Sequence, residues 1–261
     1  MTTSSSPFTP PTVVITRAVH QAGAMKSLLE AAGFRTWLYP AIAIQPPADP
    51  TLLDAALRHV SAYNWLILTS VNAVEAVARR LDTLGLTPAL LHGPAIAAVG
   101  PATARAVRQR LGLEPALTPP KAVGESLLEA LPIPAGQRVL LPRAAKARDV
   151  LPDGLRARGV EVDVIAAYET VIGQGGDDLP AALRAGQVHA ITFTSPSTVR
   201  HTLIRLAQEG GLGRDALDGL IIACIGPVTA AAAREAGLHV DLVPEEYTTA
   251  GLVRALSDAF H

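Results

Sequence analysis

The sequence predicts an α/β protein of two related halves, each built around an open parallel sheet. Three observations carry that prediction. Short runs rich in Val, Ile and Leu alternate with segments of helical periodicity, and the runs lack strict polar alternation, as suits strands buried on both faces. An ordered set of motifs occurs twice along the chain at a nearly constant offset. With 261 residues, 49% of them hydrophobic and 17% charged, the chain can bury the core of one large or two modest domains.

The elements follow in order. Residues 12–16, 34–39, 64–69, 95–99 and 114–118 read as the strands of the first half. Met25, Leu28, Leu29 and Ala32 mark one helical stripe between them, and Val74, Val77, Ala78, Leu81 and Leu84 another. Pro101 and Pro227 follow strand-ending glycines, where a first helical turn needs no N–H. Gly33, Gly112, Gly159 and Gly237 stand where helices stop. The repeat is plain in the motifs: Val13-Val14-Ile15-Thr16-Arg17 recurs as Val139-Leu140-Leu141-Pro142-Arg143, Thr69-Ser70-Val71-Asn72 as Thr194-Ser195-Pro196-Ser197, and Val99-Gly100-Pro101-Ala102-Thr103 as Ile225-Gly226-Pro227-Val228-Thr229. Five strand–helix units per half predict two flavodoxin-like sheets, and the simplest cut falls at 132–136. Two segments resist that cut. Residues 34–45 and 160–172 stay extended for about twelve residues, about 40 Å at the strand rise, which suits strands bridging two domains.

Composition removes several function classes. The formal net charge is −1, so no global basic field is present to hold nucleic acid or anionic lipid. No apolar run reaches the eighteen or so residues of a membrane helix. Residues 1–11 read as a flexible tail, not a signal peptide. The single cysteine, Cys224, lies in an apolar run and reads as a buried structural thiol, with a cytoplasmic setting as the default. The seven histidines show no paired spacing for zinc, and no metal is expected. No Gly-x-Gly-x-x-Gly follows a strand, and Ser195-Pro196-Ser197 lacks the glycines of a nucleophile elbow.

The chemistry is expected at the C-terminal strand ends, where parallel sheets bind ligands and helix N-termini offer free N–H groups to anions. Arg17, Ser70, Asn72 and Thr103 take those positions in the first half; Arg143, Lys146, Arg148, Ser195, Ser197, Thr198 and Thr229 take them in the second. Singly, such Ser, Thr and Asn residues are ordinary helix caps, and the basic group can be a solvated helix start. The duplicated set points instead to anion binding by two halves that can face each other over a cleft.

These residues resemble the uroporphyrinogen-III synthase family. The matching motifs are Leu141-Pro142-Arg143 with Arg148, Leu151, Leu155, Gly159 and Val162; Tyr168-Glu169-Thr170; Thr194-Ser195-Pro196-Ser197-Thr198-Val199; Ile225-Gly226-Pro227-Val228-Thr229; and Gly124-Glu125-Ser126-Leu127 with its counterpart Ala250-Gly251-Leu252. The resemblance spans nearly everything after residue 12. It departs at Ala73, where the family often carries glycine. It implies that the two sheets exchange their first two strands, giving domains 1–40 with 173–261 and 45–167, linkers 41–44 and 168–172, and a two-stranded β ladder joining them. It implies a cofactor-independent hydro-lyase that converts hydroxymethylbilane to uroporphyrinogen III, with Tyr168 assisting departure of the hydroxyl. Thr103 and Thr229 would bind substrate carboxylates, with Ser70, Asn72, Ser195, Ser197, Arg17, Arg143 and Arg148 as further contacts. A cytoplasmic monomer is expected. The rival readings are a non-catalytic two-domain module for a small anion, which has no need of Tyr168, and a nucleotide-dependent transferase, which requires a phosphate loop that the sequence lacks.

Overall fold

The structure, a computed structural model, describes residues 10–260. Residues 1–9 of the expected tail therefore lie outside the described residues. In chain order the elements are β1 (Thr12–Ile15), α1 (Val19–Ala31), β2 (Arg35–Leu38), β3 (Ile42–Gln45), α2 (Thr51–Arg58), β4 (Trp65–Leu68), α3 (Val71–Leu84), β5 (Ala95–Ala98), α4 (Pro101–Ala106) and α5 (Gly124–Ala130). There follow β6 (Arg138–Ala144), α6 (Val150–Ala157), β7 (Glu161–Ile172), α7 (Leu179–Arg184), β8 (Ala190–Phe193), α8 (Pro196–Gly210), β9 (Ile221–Cys224), α9 (Pro227–Glu235) and α10 (Thr249–Phe260). The α/β class with parallel sheets is what the sequence predicts.

Two compact units result. The described residues up to Ala43 together with those from Val171 onward form unit 1, and Ile44–Thr170 forms unit 2. Both boundaries fall inside strands, β3 and β7, and none falls at 132–136. Unit 1 carries a sheet in the order β2-β1-β8-β9, with every neighbouring pair parallel. The second sheet runs β3-β7-β6-β4-β5, and its β7–β6, β6–β4 and β4–β5 pairs are parallel.

The strand composition follows from burial on both faces. On β1, Val13 and Ile15 join one cluster in unit 1 and Val14 another. On β4, Leu66 and Leu68 enter one cluster of unit 2 while Ile67 enters the other. Each position thus meets an apolar layer, which removes the polar alternation of a half-exposed sheet. Cys224 on β9 is fully buried, and that burial pushes its thiol pKa up to about 12. It is the structural thiol that the sequence predicts.

Three expectations need correction. Residues 114–118 form no strand; a single parallel bridge joins Leu117 to Ala97. Pro115, Pro119 and Pro120 supply no ladder N–H, so pairing cannot propagate. Residues 34–45 are not one strand: β2 and β3 are separated at residues 39–41, around Pro40, whereas β7 runs unbroken for 12 residues. On α1 the buried stripe is Ala22, Met25 and Leu29, and Leu28 is exposed.

One cluster pins the chain beside β3. Arg205 on α8 is 3% exposed and donates to the carbonyls of Pro40 (2.6 Å) and Gly175 (3.1 Å) and to Glu209. Its guanidinium lies 3.8 Å from the centre of the Tyr39 ring, and the Tyr39 hydroxyl donates to Glu209 at 2.8 Å. A Cβ on Gly173 would collide with the Pro40 carbonyl, so only glycine lets the two strands of chain approach here.

Candidate functional site

In unit 2 the expected residues gather at the C-terminal sheet edge. β4 ends at Leu68, and Ser70, in extended conformation, caps α3 by accepting the Ala73 N–H at 3.0 Å. The same hydroxyl lies 3.0 Å from the Tyr168 hydroxyl, and the Asn72 side chain, in the first turn of α3, also hydrogen-bonds that phenol.

Tyr168 arrives there through a bulge. β7 pairs with β6 in register up to Arg143–Ala166, and the next pair is Ala144–Tyr168, so Ala167 is an extra residue. In an unbroken strand Ala167 and Tyr168 would face opposite sides. With the bulge, Ile165, Ala167 and Tyr168 all enter the same apolar cluster, and the Ala145 N–H closes the irregularity on the Tyr168 carbonyl at 2.9 Å. Tyr168 is 7% exposed. Burial raises its pKa above the ordinary tyrosine value, and the hydrogen bonds with Ser70 and Asn72 oppose that rise.

The other predicted residues of unit 2 are placed as follows. Thr103 is buried in the first turn of α4, behind the Gly100–Pro101 corner. There a Cβ on Gly100 would meet that of Ala122 at 2.5 Å, so the corner requires glycine. Arg143 is the last residue but one of β6 and is engaged by the Arg148 carbonyl (2.8 Å) and the Asp149 carboxylate. Arg148 is exposed and pairs with Glu125 at 2.8 Å. Both cations are therefore already matched with acids, and neither is hydrogen-bonded to Tyr168.

Unit 1 repeats the scaffold without the tyrosine. Arg17 follows β1, donates to the Thr249 hydroxyl at 3.3 Å, and has its pKa lowered by burial. Ser195 caps α8 in a reciprocal capping box with Thr198, and Ser197 lies half-buried in the first turn. Thr229 is buried in the first turn of α9 behind Gly226–Pro227. Tyr247, which the sequence reading did not single out, is 62% exposed and lies against Gly226. Its signal was the repeat itself, which aligns Tyr247 with Ala122, the residue against Gly100. Among the described residues, no group of three or more His, Cys, Asp or Glu side chains could hold a metal ion. No helix among them is long and apolar enough to cross a membrane.

Comparison with known proteins matches the chain to a family. The family model described as uroporphyrinogen-III synthase HemD matches residues 23–254. The uroporphyrinogen-III synthase of Synechococcus elongatus is 35% identical over 97% of each chain. The chloroplastic uroporphyrinogen-III synthase of Oryza sativa is 32% identical over 93% of this chain and 78% of its own. Among solved structures, a mutant uroporphyrinogen III synthase from Thermus thermophilus aligns over 96% of this chain and 98% of that one, with TM-score 0.65 and 25% identity. The fold is shared with a uroporphyrinogen-III synthetase from Helicobacter pylori, at TM-score 0.60 and 19% identity over 96% of this chain and all of that one. With a family model spanning most of its length and relatives matched nearly end to end, the chain belongs to the uroporphyrinogen-III synthase family.

Proposed function

We propose that this chain closes hydroxymethylbilane to uroporphyrinogen III, with loss of water and inversion of the terminal pyrrole ring. The observation that carries the reading at the site is the Tyr168 hydroxyl, held by the strand bulge against Ser70 and Asn72. A hydroxymethylpyrrole loses its hydroxyl readily because the pyrrole nitrogen stabilises the azafulvenium cation left behind. The departing hydroxide needs a proton, and a buried, neutral phenol can donate a hydrogen bond to it. Uncatalysed closure joins the chain head to tail and gives the wrong isomer. The protein must therefore hold the terminal ring for attack at its substituted carbon, through a spiro intermediate that fragments and recloses. This is catalysis mainly by positioning and exclusion of water.

The substrate carries several carboxylates, and the N-terminal turns of α3, α4, α8 and α9 suit them. Thr103, Thr229, Ser195 and Ser197 lie on those turns and supply hydroxyl and backbone donors, and the turn that carries Ser70 and Asn72 offers its backbone N–H groups, which explains how a nearly neutral protein binds a polyanion. Arg17, Arg143 and Arg148 add positive charge at the same sheet edges, the last two screened by their acid partners. The finer architecture belongs to the same proposal: flavodoxin-like domains, 1–40 with 173–261 and 45–167, whose N-terminal strands are exchanged and joined by a β ladder. The strand orders and the unit boundaries within β3 and β7 support it. We further place the protein in the cytoplasm as a monomer acting without a cofactor. An anion-binding module would use the same helix starts but leaves the buried Tyr168 hydroxyl without a task.

Incubation with hydroxymethylbilane, followed by oxidation and separation of isomers I and III, tests the reading. Isomer III should dominate with the wild-type chain and recede toward isomer I with Tyr168→Phe. Isomer I alone from the folded wild-type protein overturns the proposal.

A further inference from the structure

We propose that Ser70 and Asn72 are positioning residues for Tyr168: by donating to its phenolic oxygen they leave the phenol's own proton to be directed at the departing group. This rests on the reading of Tyr168 as the proton donor.

The argument is one of hydrogen-bond valence. A phenol oxygen accepts up to two hydrogen bonds and donates one. The Ser70 hydroxyl already accepts the Ala73 N–H at 3.0 Å, at the positive end of α3. An oxygen that accepts from a helix N-terminus is polarised toward donating its own hydrogen, and its remaining contact is the Tyr168 oxygen at 3.0 Å. Asn72, from the same turn, hydrogen-bonds the same phenol and can supply an N–H. With both donors in place, neither accepts the phenol's hydrogen.

Charged groups on the surrounding elements are committed elsewhere. Arg143 on β6 bonds Asp149 and the Arg148 carbonyl, Glu169 on β7 accepts from Gln45, and Glu75 on α3 pairs with Arg110. The state of Tyr168 is therefore set by burial, which disfavours the phenolate, and by these two neutral donors, which favour it. A residue serving only as a carboxylate contact has no influence on that balance.

The test uses the full chain labelled with 3-fluorotyrosine, whose lower pKa brings titration into an accessible range. The chain has four tyrosines, so the Tyr168 fluorine resonance is the one lost in Tyr168→Phe. Without substrate, Ser70→Ala and Asn72→Ala should each raise its titration midpoint by about half to one pH unit. Each should also lower kcat about tenfold, the worth of one hydrogen bond, with KM within about twofold. Ser70→Thr, which keeps a capping hydroxyl, should restore both. Trp65 fluorescence reports whether unit 2 remains folded, and Asn72→Ala, which keeps the Ser70 cap, covers the case in which Ser70→Ala does not. An unmoved titration in both variants overturns the proposal, as does a rise in KM with kcat retained. A shifted titration combined with wild-type turnover in Tyr168→Phe overturns the acid role of Tyr168 instead. An unshifted titration with inactive Tyr168→Phe leaves that role standing and removes the positioning one.

Discussion

Tyr39 in unit 1 and Tyr168 in unit 2 are both buried beside the C-terminal end of a central strand, yet they are held by opposite means. The Tyr39 ring is stacked under the Arg205 guanidinium and its hydroxyl is spent on Glu209. Burial, reinforced by the Glu209 hydrogen bond, drives its pKa well above the ordinary tyrosine range. Tyr168 has only neutral partners, which pull against its burial. A tyrosine locked to an ion pair serves as an anchor, because its proton is already committed to one acceptor. A tyrosine held by two donors keeps its proton for another acceptor.

The capping loops tell the same story with nearly identical backbones. Ser70 has φ −161° and ψ 158°, and Ser195 has φ −164° and ψ 160°. Both hydroxyls accept the N–H of the third helical residue, at 3.0 and 3.2 Å. In unit 1 that residue is Thr198, whose hydroxyl returns a bond to the Ser195 N–H and closes the loop on itself. In unit 2 it is Ala73, fully buried in the apolar cluster, and the serine hydroxyl turns to Tyr168. The same turn is a closed cap in one unit and an open one in the other.

The sharpest way to break the comparison is Tyr168→Phe. Loss of a general acid costs about 10²–10⁴-fold in rate, so turnover should fall by that much while the thermal midpoint moves by only a few degrees. A turnover assay beside a melting curve checks both. Full activity would put Tyr168 in the same structural class as Tyr39.

Next comes Arg205→Met, which keeps the stem of the side chain but strands the Pro40 and Gly175 carbonyls. A cost of about 2–4 kcal/mol is expected for unit 1. The two tryptophans, Trp37 in unit 1 and Trp65 in unit 2, allow the units to be followed separately in single-tryptophan variants under urea. The Trp37 transition should move to lower urea and the Trp65 transition should stay. A shift of both would show that Arg205 is not a local anchor.

What could be read from the sequence follows the range of the interactions. Strand–helix junctions announce themselves locally, and Gly100–Pro101 and Gly226–Pro227 behave as read, both at helix starts. The Tyr168 site depends on partners 98 positions apart and on one extra residue in β7, and neither leaves a local pattern. The acids that engage Arg143 and Arg148, Asp149 and Glu125, were in view, but pairing is decided by the fold. Arg205 did leave a signal: it occupies the buried stripe of α8 with Thr198, Val199, Thr202 and Leu206, where a lone cation implies a dedicated partner.

Cys224 gives a pH test confined to unit 1. Its folded-state pKa, about 12, lies above the ordinary thiol value of about 8.5. Between those values the unfolded chain has lost the thiol proton and the folded chain retains it, so stability falls as pH rises. The loss attributable to Cys224 should reach about 1–2 kcal/mol by pH 10. Stability of wild type and Cys224→Ala, measured by the Trp37 transition at pH 7 and pH 10, isolates it. The variant should lose that much less over the interval, and equal losses would mean that the thiol is hydrated in the folded protein.

The mildest substitution bears most directly on the two caps. Thr198→Val keeps the volume of the buried side chain but removes the hydroxyl that satisfies the Thr194 and Ser195 N–H groups. Because one of those bonds is the return half of a capping box, unit 1 should lose about 1–2 kcal/mol in the Trp37 transition. Unit 2 has run without that half from the start, with Ala73 in the place of Thr198, and its Trp65 transition should not move. If Thr198→Val costs nothing, the box adds no stability in unit 1. Its absence beside Tyr168 would then be a neutral difference between the halves and not a cap given up to hold a phenol.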